Sequence, residues 1–479
     1  MKLSELFPGR VDAANDHFVA GISADSRSIR PGFVFAALQG VATDGRRFVP
    51  DAIEAGAIAV LGSDLPELDI AAIDVGEPRL ELARAAARFY RTQPEKIVAV
   101  TGTNGKSSTV DFLRQIWAMA GFRAASMGTL GAIGPSGHID LGHTTPDPVA
   151  IHATLAQLAD EKVSHVAMEA SSHGLSQYRL DAVALSAVAF TNLTQDHLDY
   201  HQTMDEYRQA KLRLFSELAG AGADAVINAD SDENEIVTSA AKQAGLNLVS
   251  VGWRGHDLRI NELMPRQTGQ RLFFSWKGQS GQVDLPLIGE FQALNALMAA
   301  ALALASGLDL AATIDGLSAL EPVKGRLEYV GRSGAGGAVF VDYAHTAAGL
   351  DVLIRAARPH TAGRLIVIIG CGGDRDKGKR SQMGAVAAKH ADLVIVTDDN
   401  PRTEDPADIR RQILAAVPDG VEIADRGEAI TSAIHGLGAG DTLLIAGKGH
   451  ETGQIIGDQI IPFSDQDTAL AALRGGDHA

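Results

Sequence analysis

Residues 101–108 combine the side-chain types that bind phosphate groups. Gly102 and Gly105 have no side chains, so backbone N–H groups can approach phosphate oxygens, and Lys106 can reach the terminal phosphates with a positive charge. The hydroxyl of Ser107 can bind Mg²⁺, which prefers oxygen ligands. The segment therefore predicts a site for a nucleoside triphosphate and Mg²⁺. The other residues of the predicted loop are Thr103, Asn104 and Ser108.

This loop departs from the standard phosphate-binding motif at one position. The first glycine of G-x-x-x-x-G-K-[ST] would fall at Val100. A glycine-rich turn that caps a helix is the alternative interpretation. The context favours phosphate binding, because an apolar run at residues 96–100 precedes the loop and a helical pattern at residues 109–120 follows it.

Three apolar runs in the last third of the chain each end in glycine and charged residues. The runs, at residues 364–369, 392–396 and 442–446, are typical of parallel strands buried on both faces. Ligands of open α/β sheets bind beyond the carboxyl ends of the strands. One such end would indicate a turn, whereas three together predict a site for a ligand that carries carboxylate and ammonium groups.

The loop sequence Thr-Gly-Thr-Asn-Gly-Lys-Ser resembles the shortened phosphate loop of the Mur ligases and of their relatives, the folylpolyglutamate synthetases. In this superfamily the γ-phosphate of ATP is transferred to a carboxylate, and an amine then attacks the acyl phosphate. Further segments resemble the family around Glu169 (Met-Glu-Ala-Ser-Ser-His), His197 (Asp-His-Leu-Asp-Tyr-His) and Lys211.

The resemblance implies catalytic and metal-binding roles for these residues. Glu169 and His197 are expected to bind Mg²⁺ together with Ser107, and Lys211 is expected to be carbamylated, which gives an anion that can bind the same kind of ion. Without the resemblance, these residues would be interpreted as a polar strand end, a structural histidine and a solvated lysine. The resemblance also implies that Asn295, Arg326 and Asp342 contact ATP.

A UDP-muramoyl dipeptide, UDP-MurNAc-L-Ala-D-Glu, is the carboxylate substrate that the resemblance implies. The expected contacts are Ser26, Val41, Ala42, Thr43, Thr144, Thr145, Ser171, Gln177 and Arg179. Val41 replaces a more polar residue of the family, so only its backbone is expected to take part. Gln292 stands where many members have asparagine.

The three charged strand ends resemble the amino-acid site of those Mur ligases that add meso-diaminopimelate. The implied residues are Arg375, Asp399, Asn400, Pro401, Arg402, Gly447 and Glu451. Arg402 can pair bidentately with the distal carboxylate of diaminopimelate, which lysine lacks, and Arg375 can hold a carboxylate. Glu451 and Asn400 can meet the distal ammonium. A buried arginine left unpaired would disfavour lysine by several kcal/mol.

Alternating strand and helix patterns predict an α/β protein with mostly parallel sheets. We predict three domains: a UDP-muramoyl-substrate-binding α/β domain at 1–92, a central ATP-binding domain with a phosphate-loop ATPase-like parallel sheet at 93–322, and a Rossmann-like amino-acid-binding domain at 323–479. Pro94 and Pro322 lie near the two boundaries, since proline disfavours helix continuation. The apolar stretch 293–310 contains Asn295 and many alanines, which predicts a packed helix and no membrane span.

The net charge, the cysteine count and the first residues limit the expected partners and the expected cellular compartment. A net charge of −17 argues against nucleic acid as a partner. The single cysteine, Cys371, excludes an intrachain disulfide. The first residues lack the charged region and apolar core of a signal peptide. We therefore expect a cytoplasmic enzyme. We also expect a monomer, although none of these features indicates the oligomeric state.

Two other interpretations stay open at this point. A folylpolyglutamate synthetase would share the phosphate loop but would need neither a uridine-binding first domain nor the sequence Asp-Asn-Pro-Arg. A nucleotide-dependent switch would release no phosphate in response to an amino acid. The base that deprotonates the attacking amine is also open, and His345 and the substrate itself are both candidates.

Overall fold

The computed structural model describes residues 1–40 and 43–475 and is a mixed α/β protein. The chain divides into two compact units, one of Met1–Asp257 with Met298–Thr313 and the other of Leu258–Leu297 with Ile314–Ala479. The boundaries predicted for three domains stay a prediction. None of the described helices combines the length and the apolar character needed to cross a membrane.

The first unit begins with a four-stranded parallel sheet. Its strands are β1 (Gly21–Ser23), β2 (Phe33–Ala36), β3 (Ala59–Gly62) and β4 (Ala71–Asp74), in that order, and its helices are α1 (Leu3–Leu6), α2 (Val49–Glu54) and α3 (Pro78–Tyr90). Helix α3 begins with proline, whose fixed φ suits the first turn. Its buried Leu82 joins Val34, Leu61 and Ile73 in the core.

The same unit contains a larger sheet with helices on both sides. Its strands are β5 (Lys96–Thr101), β6 (Ala124–Gly128), β7 (Gly131–Gly134), β8 (Gly137–Ile139), β9 (His165–Glu169), β10 (Ala187–Phe190), β11 (Asp224–Asn228) and β12 (Asn247–Gly252). The accompanying helices are α4 (Lys106–Met119), α5 (Pro148–Asp160), α6 (Ser172–Ser176), α7 (Leu198–His201), α8 (Met204–Arg213) and α9 (Asn234–Gln243).

Strand β5 lies at the centre of this sheet. The order is β12-β11-β10-β5-β9-β6-β7-β8, and the neighbours from β12 to β6 are parallel. Residues 97–101 of β5 are buried, as the continuous apolar run predicts. The predicted phosphate loop connects β5 to α4, so it lies between the carboxyl ends of β9 and β10.

The second unit contains an antiparallel sheet, a mostly parallel sheet and a hairpin. The antiparallel strands are β13 (Leu258–Arg266), β14 (Gly269–Trp276) and β15 (Gln279–Leu285). Helices α10 (Glu290–Ala305) and α11 (Leu310–Ser318) have residues in both units, and α10 overlaps the packed helix predicted at 293–310.

The mostly parallel sheet of this unit has the order β16-β17-β21-β18-β19-β20. Its strands are β16 (Glu328–Arg332), β17 (Ala338–Asp342), β18 (Leu365–Ile369), β19 (Leu393–Val396), β20 (Val421–Glu422) and β21 (Thr442–Ala446), and the hairpin is β22 (Gly453–Ile456) with β23 (Gln459–Pro462). The helices are α12 (Ala347–Ala357), α13 (Gly378–His390), α14 (Pro406–Leu414), α15 (Arg426–His435) and α16 (Asp465–Gly475). Only β16 pairs antiparallel within the described part of this sheet.

Strands β21, β18 and β19 are therefore parallel neighbours. The three charged strand ends that the sequence predicts to form one rim lie next to each other, which confirms that part of the prediction. Apolar side chains cover both faces of these strands: Leu353 and Met383 belong to the core on one face, and Ile430 and Ala469 to the core on the other. Burial on both faces explains why the runs lack alternating polar residues.

Candidate nucleotide and amino-acid sites

The phosphate loop has a backbone that requires glycine. Gly102 has φ +150°, and a Cβ there would lie 1.9 Å from Oγ1 of Thr191. Gly105, with φ +83°, precedes the first residue of α4. Both backbone conformations favour glycine, whereas phosphate binding by this loop stays a prediction. The N-terminus of α4 faces the loop, and such a terminus attracts phosphate.

Lys106 folds back over the loop. Its Nζ donates hydrogen bonds to the carbonyl oxygens of Gly102 and Thr103, at 2.9 and 2.8 Å. The loop backbone is anchored at the end of β10, because the N–H groups of Thr103 and Asn104 donate to the backbone and side-chain oxygens of Asn192. Ser108 is buried in the first turn of α4.

Ser107 and Glu169 bring two side-chain oxygen atoms together beside the loop. Ser107 Oγ donates to Glu169 Oε1 at 2.8 Å, and the N–H of Thr129 donates to the same oxygen at 2.8 Å. Glu169 is 3% exposed, and a Cβ on Gly128 would lie 2.2 Å from Oε1. These hard oxygen atoms fit Mg²⁺. Nothing in the sequence pointed to Gly128 or Thr129.

Lys211 is buried directly behind the phosphate loop. It is 2% exposed, its Nζ donates to the carbonyl oxygen of Gly102 at 2.7 Å, and Nζ lies 4.5 Å from the ring centroid of Tyr207. Burial, and then the positive charge of Lys106, lower the pKa of Lys211 well below its ordinary value. The solvated lysine that the sequence alone would suggest is therefore excluded. A neutral amine is the form that can react with carbon dioxide.

His197 begins a short aromatic cluster beside α8. It has φ +54°, its ring centroid lies 5.1 Å from that of His173 and 6.0 Å from that of Tyr207, and its Nε2 lies 3.6 Å from Asp196 Oδ2. Within residues 1–40 and 43–475, no three His, Cys, Asp or Glu side chains are grouped for binding a metal ion. Metal binding by His197 and Lys211 stays a prediction.

In the second unit, the half-buried Asp342 ends β17. It accepts hydrogen bonds from the N–H groups of Leu327 and Ala344, at 2.6 and 2.7 Å. Burial raises the pKa of Asp342 although Arg326 opposes the shift. The Arg326 guanidinium lies 5.0 Å from the ring centroid of Tyr343. Asp342 thus shapes the backbone that carries Arg326.

Asn295 and Gln292 form a buried pair on α10. Asn295 Nδ2 donates to Gln292 Oε1 at 3.0 Å, and Gln292 Nε2 donates to the carbonyl oxygen of Arg326 at 3.0 Å. The family difference at Gln292 therefore has a structural role in this chain. Contact of Asn295, Arg326 or Asp342 with a nucleotide stays a prediction.

The predicted muramoyl-peptide residues lie together at the end of β9. Thr145 Oγ1 donates to the carbonyl oxygen of Glu169 and accepts from the N–H of Ser171. Arg179 donates to the carbonyl oxygen of Thr145 and, at 2.8 Å, to Gln177 Oε1. Thr144 pairs with the hydroxyl of Thr129 at 3.0 Å.

Arg79 of α3 also reaches this group, which the sequence did not indicate. It donates to Gln177 Oε1 at 3.5 Å and to the carbonyl oxygen of Gln39 at 2.7 Å. Burial, and then the charge of Arg79, lower the pKa of Arg179. Two neighbouring guanidinium groups favour an anionic ligand here. Ser26 begins a short 3-10 helix after β1 and Thr43 lies in a loop, whereas Val41 and Ala42 lie outside the described residues.

Asn400, Lys448 and Glu451 form one hydrogen-bonded group at the rim of the second unit. Asn400 Nδ2 donates to Glu451 Oε2, and Lys448 Nζ donates to Asn400 Oδ1 and to Glu451 Oε2, all at 3.0 Å. Burial alone would raise the pKa of Glu451, but the hydrogen bonds from Asn400 and Lys448 leave it below its ordinary value. Glu451 is therefore an anion at neutral pH.

Arg402 lies beside this group in a strained backbone conformation. It has φ +50°, its N–H donates to the carbonyl oxygen of Ile455, and its Nη1 donates to the carbonyl oxygen of Gly373 at 2.8 Å. A Cβ on Gly373 would lie 1.9 Å from the carbonyl oxygen of Pro401, so the ends of β18 and β19 touch through glycine. Strained residues of this kind cluster at ligand sites.

Glu404 braces the two loops that carry Arg375 and Arg402. It accepts from the fully buried Arg380 at 2.9 and 3.1 Å and from the N–H of Asp374 at 2.7 Å. Hydrogen bonding from Arg380 contributes most to lowering the pKa of Glu404 to about 2. Arg375 itself is exposed. No pattern in the sequence indicates that Glu404 connects these loops.

Asp399 and Gly447 face each other at the same rim. Gly447 has φ +118°, and a Cβ there would lie 2.7 Å from Asp399 Oδ2. Beneath them, the fully buried Arg426 donates to both carboxylate oxygens of Asp465 at 2.7 Å and to the carbonyl oxygen of Ala446 at 3.0 Å. This buried ion pair fixes the end of β21.

A glycine-rich loop between β5 and α4 in one unit and a rim of charged residues in the other agree with the class that the sequence predicts, the nucleotide-dependent ligases. The chain matches "Mur ligase family, catalytic domain" over residues 18–95, "Mur ligase middle domain" over residues 100–303 and "Mur ligase, glutamate ligase domain" over residues 325–449. The chain belongs to the Mur ligase family.

Individual relatives agree with this assignment over the full chain. The UDP-N-acetylmuramoyl-L-alanyl-D-glutamate–2,6-diaminopimelate ligase of Agrobacterium fabrum is 49% identical over 478 residues, which cover 99% of this chain and 97% of the relative. A solved structure of a ligase of that name is 32% identical, with a TM-score of 0.78 and full coverage of both chains. A folylpolyglutamate synthase of Mycobacterium tuberculosis has a TM-score of 0.62 at 18% identity, covering 82% of this chain and 94% of that one, and shares the fold.

Proposed function

We propose that this chain is an ATP-dependent ligase that joins meso-diaminopimelate to the D-Glu γ-carboxylate of UDP-MurNAc-L-Ala-D-Glu, a step of peptidoglycan synthesis. The observation that carries the proposal is the rim of the second unit, where Arg402, Glu451 and Asn400 lie together at neighbouring strand ends. The full-length relatives named for this reaction support it.

The first unit activates the carboxylate in this proposal. The loop N–H groups and Lys106 bind the phosphates of ATP, and positioning with electrostatic stabilisation carries phosphoryl transfer. Ser107 and Glu169 would hold Mg²⁺, with His197 and the carbamate of Lys211 as further ligands. When bound, the ion supplies positive charge that stabilises the transferring phosphoryl group.

Acyl phosphate formation places a good leaving group on the dipeptide carboxylate. Arg179 and Arg79 hold the negatively charged muramoyl peptide, because their guanidinium groups lie close together and both donate to Gln177 Oε1. The amine of diaminopimelate then attacks, and phosphate leaves. His345, whose Nδ1 lies 3.0 Å from the carbonyl oxygen of Tyr343, and the substrate itself stay the candidates for the base.

The second unit selects the amino acid. Arg402 and Arg375 pair with the two carboxylates of diaminopimelate, and Glu451 holds the ammonium that does not react. Lysine would leave one guanidinium without a carboxylate, which lowers its relative use. We further propose that the enzyme acts as a cytoplasmic monomer on these small molecules and not on nucleic acid, in line with its net charge of −17.

Phosphate release with purified protein tests the proposal. ATP, Mg²⁺ and UDP-MurNAc-L-Ala-D-Glu are supplied with either meso-diaminopimelate or L-lysine, and the product is identified by its mass. We expect release that depends on both the dipeptide and diaminopimelate, and almost none from Lys106→Ala. Release that ignores the amino acid would indicate a nucleotide switch, and activity with a folate and glutamate would indicate a folylpolyglutamate synthetase.

A further inference from the structure

The ammonium of Lys448 occupies the place that the sequence assigns to a substrate group. Lys448 is 0% exposed, and its Nζ lies 3.0 Å from Asn400 Oδ1 and 3.0 Å from Glu451 Oε2. Asn400 and Glu451 are the two residues expected to meet the distal ammonium of diaminopimelate. A cation of the protein therefore already lies between them.

The amide of Asn400 has no acceptor capacity left for a substrate. Its Oδ1 accepts from Lys448 Nζ and, at 2.9 Å, from the N–H of Ile455, and a carbonyl oxygen has two lone pairs. Its Nδ2 donates to Glu451 Oε2 at 3.0 Å. Asn400 thus orients its neighbours and cannot also accept from a ligand ammonium.

The two carboxylate oxygens of Glu451 differ in the hydrogen bonds that they accept. Oε2 accepts from both Asn400 and Lys448, whereas Oε1 accepts from no side chain or backbone group in the described part of the chain. The side chain of Glu451 is 34% exposed, so a ligand can reach it. The carboxylate is anchored on one side and open on the other.

We propose that Lys448 is a positioning residue of the amino-acid site, which holds Asn400 and Glu451 so that Glu451 Oε1, and not Asn400 Oδ1, accepts from the distal ammonium of the substrate. The inference rests on the proposed function and specifies its ammonium contact. A buried lysine between an amide oxygen and a carboxylate is satisfied by two charge-assisted or polar hydrogen bonds. Removing its charge frees the Asn400 amide to rotate and lets Glu451 move.

Two substitutions test this role. Lys448→Met keeps most of the volume without the charge, and Lys448→Ala leaves a cavity. For both, we expect the KM for diaminopimelate to rise by about tenfold or more, because hydrogen bonds to charged groups are among the stronger ones, while the KM for ATP stays within about twofold. Lys389→Ala on the exposed face of α13 is the control and should change neither constant.

Chemical rescue distinguishes positioning by charge from general damage to the fold. Ethylammonium or propylammonium should restore the diaminopimelate KM of Lys448→Ala towards the wild-type value. Tetramethylammonium, which has no N–H donor, should not, and Lys448→Met should respond to neither because its cavity is filled. The product must be identified as the diaminopimelate adduct, since an alkylamine could itself attack the acyl phosphate.

Each outcome decides the inference. Folded variants with the wild-type KM for diaminopimelate would overturn it and leave the proposed function intact, whereas a wild-type enzyme that ignores diaminopimelate would overturn the proposed function. If both variants fail to fold, a crystal structure of the wild type with diaminopimelate decides. A substrate nitrogen on Glu451 Oε1 beside an unmoved Lys448 supports the inference, and a nitrogen on Asn400 Oδ1 contradicts it.

Discussion

Lys211→Met should stabilise the metal-free protein and at the same time abolish its activity. The Lys211 amine is 2% exposed and donates one hydrogen bond, to the carbonyl oxygen of Gly102. That oxygen keeps Lys106 Nζ as a second donor, so the substitution leaves no buried acceptor without a partner. Methionine fills a similar volume and can contact the Tyr207 ring.

The expected change in the free energy of unfolding is the difference between two opposing contributions. A buried polar group without its full set of hydrogen bonds costs about 1–3 kcal/mol in protein mutational data. The single hydrogen bond lost contributes about 1 kcal/mol. The free energy of unfolding should therefore rise by about 1 kcal/mol. Activity should fall on the order of 100-fold or more, if the Lys211 carbamate binds Mg²⁺.

The pH dependence of the free energy of unfolding gives a second test of the buried Lys211 amine. Burial lowers the pKa of Lys211 in the folded state, while the unfolded chain keeps a pKa near 10.5. Between the lowered pKa and 10.5 the unfolded state binds more protons, so the stability of the wild type rises with pH. Lys211→Met lacks this slope. The extra stability of Lys211→Met over the wild type should be largest below the folded-state pKa of Lys211, and it should disappear as the pH approaches 10.5.

Urea unfolding in buffer with EDTA and without bicarbonate, repeated at several pH values, measures the free energy of unfolding and its pH dependence. Adding Mg²⁺ and bicarbonate should then stabilise the wild type, because a ligand that binds only the folded state shifts the equilibrium, but not Lys211→Met. Lys242→Met, on the exposed surface of α9, is the matched control. A destabilised Lys211→Met with the same pH slope as the wild type would refute the reasoning.

Three further predictions concern the second unit. Arg402→Ala should raise the KM for diaminopimelate by about 100-fold, because a charge-assisted bidentate pair is lost, while the KM for ATP changes little; equal losses in both would contradict the assignment. Glu404→Gln should raise the KM for diaminopimelate by about tenfold, because Arg380 loses its anionic partner and the two loops loosen; steady-state kinetics with ATP held saturating measures this. Asp465→Asn should destabilise the protein by about 3–5 kcal/mol, since it leaves the fully buried Arg426 unpaired, and the double variant Arg426→Met/Asp465→Leu should recover most of that loss in urea unfolding.

Much of the fold follows from local sequence patterns. Apolar runs such as residues 364–369 predict doubly buried strands because burial on both faces leaves no room for alternating polar residues. Contacts between distant segments of the first unit are less visible in the sequence. The contacts of Arg79 with Gln39 and Gln177 join segments 40 and 98 residues apart, so no pattern within either segment could reveal them.

Some residues of the candidate sites could be predicted from the sequence, whereas others could be found only in the structure. Gly102 could be singled out from the glycine-rich loop and Gly447 from the family resemblance. The structure adds the physical reason for glycine at both positions: φ is positive and a Cβ would lie too close to a neighbouring atom. Lys211 looks like a solvated helix residue in the sequence, and only its burial behind the phosphate loop explains its lowered pKa. The partners Arg380 and Glu404, 24 residues apart, are ordinary surface types whose pairing depends on the approach of two loops.

The balance of charge at the rim argues for the substrate more strongly than any single contact. The buried cations Arg380, Lys448 and Arg426 are each matched by a carboxylate of the protein. Within the described residues Arg402 and Arg375 form no such ion pair, and Glu451 keeps one free oxygen. Among the residues assigned to the ligand, Arg402 and Arg375 complement two carboxylates and Glu451 complements one ammonium, while the second amine of the amino acid must be neutral to attack. Diaminopimelate meets that requirement, whereas lysine would leave a guanidinium without a counter-charge.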